Sequence, residues 1–166
     1  MALTSSDIIN TTGIQIPPGA CVVIVRTEWN ASIVDLLENG CITVLKEHNI
    51  NYRIITVPGA FELIFGIKNY WDNHKYKDDK PNAFIALGCV LKGDTPHFEY
   101  VCNAATEGIV QLNLSLPIPT IFGVLTVNNQ QQADERTGGM NGNKGAESAT
   151  TALKMIALAQ SFKKFI

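Results

Sequence analysis

Four short apolar runs constrain the fold of this chain more than any other feature of its sequence. They are ACVVIVR (20–26), YRIITV (52–57), NAFIALGCVL (82–91) and IPTIFGVLTV (118–127). Each run is nearly continuous in apolar residues, without the alternation with polar residues that a strand with one solvated face has. The runs therefore predict strands covered on both faces, as in a parallel sheet.

Helical patterns separate these runs. Apolar residues recur at three-and-four spacing in 31–48, 60–74, 98–114 and 144–162. The alternation of strand and helix predicts an α/β three-layer sandwich, in which a four-stranded parallel sheet has the flavodoxin-like, doubly wound topology. In such a sheet the carboxyl ends of the strands share one edge, where ligands bind.

Length and charge exclude several functional classes. The 166 residues fit one domain, covering 1–166. The formal net charge is −2 and the 13 Lys and Arg residues are scattered, which argues against a nucleic-acid partner. No apolar run approaches the ~18 residues of a membrane span, and the N-terminus does not resemble a secretory leader. We therefore expect a cytoplasmic protein with no membrane partner.

The cysteines and two of the three histidines do not predict a metal site. Cys21, Cys41, Cys89 and Cys102 lie among apolar neighbours and form no C-x-x-C pair. This pattern favours reduced, packed thiols over disulfides or zinc ligands. His48 and His74 lie at helix ends without the paired spacing of metal ligands, which favours structural roles for both.

The ends of the first two predicted strands carry an aromatic residue and an acid. Trp29 precedes a helix, where it can stack on a planar heterocycle or simply pack the helix entry. Glu62 falls in the first helical turn after Pro58 and Gly59, where it can stabilise the helix dipole or accept hydrogen bonds from a ligand. The G-x-G-x-x-G fingerprint is missing after the first strand, which argues against an NAD or FAD site.

The third strand leads into GDTPHFEYV (93–101). Asp94, Thr95 and Pro96 predict a capped helix start with proline in its first turn, an arrangement that presents N–H groups and a hydroxyl to a phosphate. His97 then lies in the first turn. It can transfer protons beside the anion, or it can be an ordinary surface or capping histidine.

Two cations follow the fourth strand. Arg136 ends a short helix before a glycine pair, where it can offset the helix dipole or hold a phosphate with its planar guanidinium. Lys144 begins the last helix, at the end where the dipole disfavours a cation, which favours an anionic or polar ligand nearby.

Taken together, these segments resemble the lumazine synthase family of riboflavin biosynthesis. The matching strings are VPGAFEL, ALGCVLKGDTPHFEYVCNAATEGI, PTIFGVLTVNNQQQADERTGG and GNKGAESA. The resemblance runs from Trp29 to the last helix. It implies condensation of 5-amino-6-(D-ribitylamino)uracil with 3,4-dihydroxy-2-butanone 4-phosphate to 6,7-dimethyl-8-ribityllumazine, with release of phosphate and water and without a metal or organic cofactor.

The resemblance also implies roles for individual residues. Trp29 would stack on the pyrimidine, and His97 would be the catalytic proton-transfer residue. The uracil and ribityl chain would be held by Ala60, Phe61 and Glu62, and the ring would be lined by the backbone of Cys89, Val90 and Leu91. The butanone phosphate would be bound by Asp94 and Thr95, while Phe122 and Arg136 would come from a neighbouring subunit.

The same resemblance implies a homo-oligomer built from pentamers, with riboflavin synthase as a further partner. We expect segment 1–19 to pair with a neighbouring subunit, and Ala104, Ala105 and Gly108 to allow close helix approach between subunits. Two departures from the family pattern, Lys92 and the string CNAATEG, bear on packing or assembly. The alternatives are a non-catalytic flavodoxin-like flavin-binding module and a shell-forming protein whose site has decayed.

Overall fold

The computed structural model describes residues 10–163. Its elements are β1 (Cys21–Thr27), α1 (Ala31–Glu47), β2 (Asn51–Val57), a 3₁₀ helix (Ala60–Glu62), α2 (Leu63–His74), β3 (Ala83–Leu91), α3 (His97–Ser115), β4 (Thr120–Val127), α4 (Gln130–Glu135), β5 (Thr137–Gly139), β6 (Gly142–Asn143) and α5 (Lys144–Lys163). Of the predicted N-terminal segment, residues 1–9 lie outside the described residues, and 10–19 form neither helix nor strand.

Strands β1 to β4 form one parallel sheet in the order β2-β1-β3-β4. Helices α1 and α5 pack on one face, and α2 and α3 pack on the other. The predicted fold class, a three-layer α/β sandwich of flavodoxin-like order, is confirmed. The glycine-rich ribbon of β5 and β6 was not anticipated from the sequence, because its two strands are too short to give an apolar pattern.

Strand β1 explains why the run 20–26 is continuous, whereas the expectation of two covered faces is wrong for the edge strand β2, which has no buried residue. Val22 and Ile24 belong to the core beneath α1 and α5, whereas Val23 and Val25 belong to the core beneath α2 and α3. All four side chains are fully buried, and each stabilises the fold by about 1.5–3 kcal/mol. Both faces of the central strands are therefore core, which leaves ligand binding to the sheet edges.

The small residues of α3 pack inside the chain, so the expectation that they face another subunit is wrong for two of the three. Ala105 is fully buried, and a Cβ on Gly108 would lie 2.3 Å from Cγ1 of Ile64 on α2. Ala104 is partly exposed, and Gly108 is partly exposed beside its contact with α2. Helices α2 and α3 cover the same face of the sheet. A small residue at their contact allows them to pack closely, and this accounts for the glycine.

The structure gives the two other histidines local packing roles, as the sequence predicts. His48 lies within hydrogen-bond distance of the Val44 carbonyl and the Thr11 hydroxyl, at 2.9 and 2.8 Å. The ring of His74 stacks on Tyr70, with 3.9 Å between centroids. Between residues 10 and 163, no helix is long and apolar enough to cross a membrane.

Helices α1 and α5 approach most closely at Gly145, where a Cβ would lie 1.8 Å from the carbonyl oxygen of Leu37. We expect Gly145→Ala to lower the melting temperature by about 3–10 °C, because backbone must move to admit the methyl group. Gly93→Ala is the matched control, since nothing lies within 4 Å of its Cβ position. Equal melting temperatures for both variants would contradict this close approach.

Candidate active site

A cleft of about 440 Å³ opens at the carboxyl ends of β1, β2 and β3, bounded by the start of α3. Its volume suits a small-molecule ligand. Nine of the residues predicted from the sequence line it, namely Trp29, Ala60, Phe61, Glu62, Cys89, Val90, Leu91, Thr95 and His97. The structure thus brings together predicted residues from three strand ends.

Two aromatic side chains at this cleft are unusually open to solvent. Trp29 is 68 % exposed and Phe61 is 62 % exposed. An aromatic residue that packs the entry of a helix would be largely covered, so the exposure of Trp29 favours the stacking role over the packing role. The apolar face of Trp29 is available to a planar ligand.

Hydrogen bonds join the three strand ends that carry the cleft. The Thr27 hydroxyl donates to the Trp29 carbonyl at 3.2 Å, and the Trp29 N–H donates to the Pro58 carbonyl at 3.1 Å. The side-chain amide of Asn30 donates to the Cys89 carbonyl at 2.8 Å. The turn that carries Trp29 is therefore fastened to the ends of both neighbouring strands.

Glu62 ends the 3₁₀ helix that follows β2, and its side chain folds back toward the preceding turn. A Cβ on Gly59 would lie 3.0 Å from its carboxylate oxygen. Within residues 10–163, no salt bridge or side-chain hydrogen bond engages this carboxylate, although it is exposed and lines the cleft. It is thus able to accept hydrogen bonds from ligand hydroxyl or N–H groups.

The predicted cap before α3 is not formed. The helix begins at His97, Pro96 occupies the cap position with helical φ and ψ of −61° and −7°, and no side chain caps the first turn. Proline has no side-chain acceptor, and Asp94 and Thr95 lie in a bend before it. The first N–H groups of α3 are consequently open to an anion. Thr95 lines the cleft, whereas Asp94 does not.

The predicted residues Phe122 and Lys144 lie on a different surface of the chain. They line a second depression of about 420 Å³, formed by the first residues of β4 and the start of α5. Arg136 joins this surface through Glu147, which is only 5 % exposed. A carboxylate oxygen of Glu147 lies 3.3 Å from the Arg136 guanidinium and 3.4 Å from the Lys144 ammonium.

Glu147 explains the unfavourable position of Lys144 at a helix start, because it provides an anion one turn along the same helix. A single carboxylate cannot neutralise two cations, so the group made of Arg136, Lys144 and Glu147 keeps one net positive charge. The Arg136 guanidinium also donates to the Asn141 carbonyl at 2.8 Å. These contacts hold its planar end in one orientation.

The thiol of Cys89 is not a reactive group of this site. Its side chain belongs to the buried core, and this burial raises the pKa of the Cys89 thiol to about 11. The thiol is therefore protonated near neutral pH, and Cys89 offers a ligand only its backbone. None of the four cysteines forms a disulfide, and in the described part of the chain no cluster of His, Cys, Asp and Glu could hold a metal ion.

Comparison with known proteins identifies the family. A family model described as 6,7-dimethyl-8-ribityllumazine synthase matches residues 19–160. The chain belongs to this family. A 6,7-dimethyl-8-ribityllumazine synthase of Bacteroides fragilis is 46 % identical over 144 residues, covering 85 % of this chain and 97 % of the relative. A 6,7-dimethyl-8-ribityllumazine synthase of Phocaeicola vulgatus is 47 % identical over 144 residues, covering 85 % of this chain and 83 % of that relative.

The lumazine synthase family predicted from the sequence is thus confirmed, and with it an enzyme of the transferase class in riboflavin biosynthesis. A third relative of the same name, from Cytophaga hutchinsonii, is 47 % identical over 137 residues, covering 81 % of this chain and 83 % of its own. These matches give no support to the alternative of a non-catalytic flavin-binding module.

Two residues of this lumazine synthase chain were not predicted from the sequence, Glu147 and Asn30. Glu147 could have been found, because its spacing of three from Lys144 on a predicted helix brings the two side chains together. Nothing in the sequence marks Asn30 apart from its position next to Trp29. Its bond to Cys89 joins two strands whose relative positions the sequence does not give.

Proposed function

We propose that the cleft at the carboxyl edge of the sheet condenses 5-amino-6-(D-ribitylamino)uracil with 3,4-dihydroxy-2-butanone 4-phosphate. One observation carries the proposal: an exposed Trp29 face, an unengaged Glu62 carboxylate and an uncapped helix start bearing His97 share one cleft of about 440 Å³ in a lumazine synthase chain. A planar ring, a chain of hydroxyls and a phosphate are the groups that these features complement.

The pyrimidine lies on the ring of Trp29 in this proposal. The backbone of Cys89, Val90 and Leu91 lines the ring, because β3 extends beyond its pairing with β1, which ends at Leu87. The carboxylate of Glu62 accepts hydrogen bonds from the ribityl chain, and Ala60 and Phe61 cover the ribityl chain. The open carboxylate and the apolar exposed aromatics support this division of roles.

The butanone phosphate lies at the start of α3. The Thr95 hydroxyl and backbone N–H groups of Asp94 and the first helical turn donate to its oxygens. Phe122, Arg136 and Lys144 reach the cleft from a neighbouring subunit, with Arg136 and Lys144 supplying the positive charge. Their position on a separate surface of the chain, and their net positive charge beside Glu147, support this assignment.

His97 transfers protons during the reaction. The 5-amino nitrogen attacks the ketone and water leaves to form an imine. Phosphate is then eliminated, and the ribitylamino nitrogen closes the ring on the remaining carbonyl with loss of a second water. Each step moves a proton at a nitrogen or oxygen atom, and His97 lines the cleft beside the proposed phosphate position. Orientation of two bound substrates accounts for a larger share of catalysis, since positioning can lower a barrier by about 7–11 kcal/mol.

The assembly belongs to the same proposal. The chain acts as one domain, 1–166, in a homo-oligomer built from pentamers, with segment 1–19 pairing with a neighbour and riboflavin synthase as a further partner. The exposed apolar side chains of α3, Tyr100, Val110 and Leu114, support burial between copies. Four free cysteines support the reducing environment of the cytoplasm.

The direct test mixes the two substrates with the purified protein. Lumazine absorbance and inorganic phosphate are followed together, and we expect them to rise in equal amounts, with no product when either substrate is omitted beyond the slow uncatalysed background. Protein that purifies with bound flavin and leaves this background unchanged would instead support the flavin-binding module.

A further inference from the structure

Asn30 occupies the cap position of α1 but does not cap it. Its side chain makes no hydrogen bond to the first turn of the helix, and its backbone is left-handed, with φ 57° and ψ 40°. Asparagine at this position ordinarily has an extended backbone and accepts a hydrogen bond from the N–H of the second or third helical residue, which stabilises the helix. This residue therefore forgoes a local stabilisation.

The amide of Asn30 instead reaches the end of β3, where it donates to the Cys89 carbonyl at 2.8 Å. Only the backbone carbonyl of Asn30 serves the helix, accepting from the N–H groups of Ile33 and Val34 at 2.9 and 3.0 Å. The left-handed backbone is the conformation in which the side chain makes this cross-strand bond. Asparagine adopts that conformation at less cost than most residues.

The two residues joined by this hydrogen bond, Asn30 and Cys89, lie on opposite sides of the proposed uracil site. Asn30 directly follows Trp29, the aromatic platform, and Cys89 begins the backbone segment that lines the ring. Trp29 is also fixed to β2 through its N–H bond to Pro58, at 3.1 Å. The Asn30 amide is thus the side-chain link that fixes the distance between the platform and β3.

We infer that Asn30 is a positioning residue for the uracil substrate, an inference that rests on the function proposed above. Its amide holds the Trp29 turn against the end of β3. This hydrogen bond sets the distance between the Trp29 side chain and β3, and the pyrimidine ring binds between them. Asn30 itself lines the cleft, and its amide acts by fixing Trp29 and Cys89 and not on the reacting atoms. Loss of this amide weakens the binding of the pyrimidine. The binding of butanone phosphate, which lies at the start of α3, stays unchanged.

Two substitutions separate this role from helix capping. Asn30→Asp keeps the size and capping ability of the side chain, but a carboxylate has no N–H to donate to a carbonyl. Asn30→Gly keeps the left-handed backbone and removes the amide. Asn49 is the matched control, because it is also left-handed, with φ 54°, and lies away from the cleft after α1.

Binding is measured apart from turnover by titrating 5-amino-6-(D-ribitylamino)uracil against tryptophan fluorescence. The Trp71→Phe background makes Trp29 the single tryptophan, since the chain has two. We expect both Asn30 variants to raise the dissociation constant about 3- to 10-fold, the effect of one lost hydrogen bond. The KM for butanone phosphate and both constants of Asn49→Asp and Asn49→Gly should change less than about twofold.

Wild-type uracil affinity in Asn30→Asp and Asn30→Gly would overturn the inference, as would equal losses for both substrates. In either case normal product formation by the unsubstituted protein leaves the proposed function standing. If Asn30→Asp does not fold, Asn30→Gly alone decides the question. Failure of the unsubstituted protein to bind ribitylaminouracil would overturn the proposed function and this inference together.

Discussion

Replacing His97 with alanine is expected to lower kcat by about 10²–10⁴-fold while both substrates still bind, because proton transfer is lost and positioning remains. The measurement is lumazine formation at saturating concentrations of both substrates. His97 starts α3 and lines the cleft, so its removal leaves the aromatic platform and the phosphate-binding turn in place. The KM values should therefore change much less than kcat.

His74→Ala is the matched control for this experiment. Its ring stacks on Tyr70 and lies outside the cleft, so its loss should affect stability and leave kcat at the unsubstituted value. An unchanged kcat in His97→Ala would make His97 an ordinary surface histidine. A change confined to the melting temperature would have the same meaning.

Arg136→Ala is expected to raise the KM for butanone phosphate by about 10- to 100-fold, because a charge-assisted hydrogen bond to the phosphate is lost. The KM for the uracil should change by less than about threefold, since no charge is lost beside it. Arg136→Lys should restore binding only in part, because lysine keeps the charge and lacks the planar guanidinium. The affinity for free phosphate gives a second readout.

Arg53→Ala is the control for Arg136. Like Arg136, Arg53 has an acidic partner, Asp79, but it is exposed and lines neither depression. It should leave both KM values unchanged. Equal loss of affinity for both substrates in Arg136→Ala would make Arg136 a residue that only organises the helix end with Glu147.

The Arg136 variant also tests whether the site lies between subunits. At butanone phosphate concentrations well below the KM of Arg136→Ala, Arg136→Ala and Trp29→Ala chains refolded together should be more active than either variant alone, because some sites then contain both original residues. Within one chain Trp29 lines the cleft, whereas Arg136 lies outside it and pairs with Glu147 of the second depression. No recovery after co-refolding would contradict a shared site.

The sequence predicted the fold because the central strands are buried on both sides. Val22 to Val25 alternate between two cores, so the whole run is apolar, and such a run in a strand-helix alternation specifies a doubly wound sheet. That topology then predicted which edge carries the cleft. Trp29, Glu62 and His97 could be brought together from the sequence because each follows a different strand.

Details that depend on spacing between elements could not be predicted. The small residues Ala105 and Gly108 indicate that another element comes close, but the sequence does not say which one, and Ile64 of the same chain fills the place. The cap before α3 failed for a local reason, since Pro96 takes the cap position itself. The bond from Asn30 to Cys89 joins residues 59 positions apart.

The most direct test of the central claim is a crystal structure of the protein with 5-amino-6-(D-ribitylamino)uracil and inorganic phosphate. We expect the pyrimidine on the ring of Trp29, the ribityl chain within hydrogen-bond distance of Glu62, and the phosphate at Thr95 and the start of α3 beside Arg136 of a neighbouring copy. A pyrimidine bound away from Trp29, or a phosphate without contact to Thr95, would overturn the proposed function of this cleft.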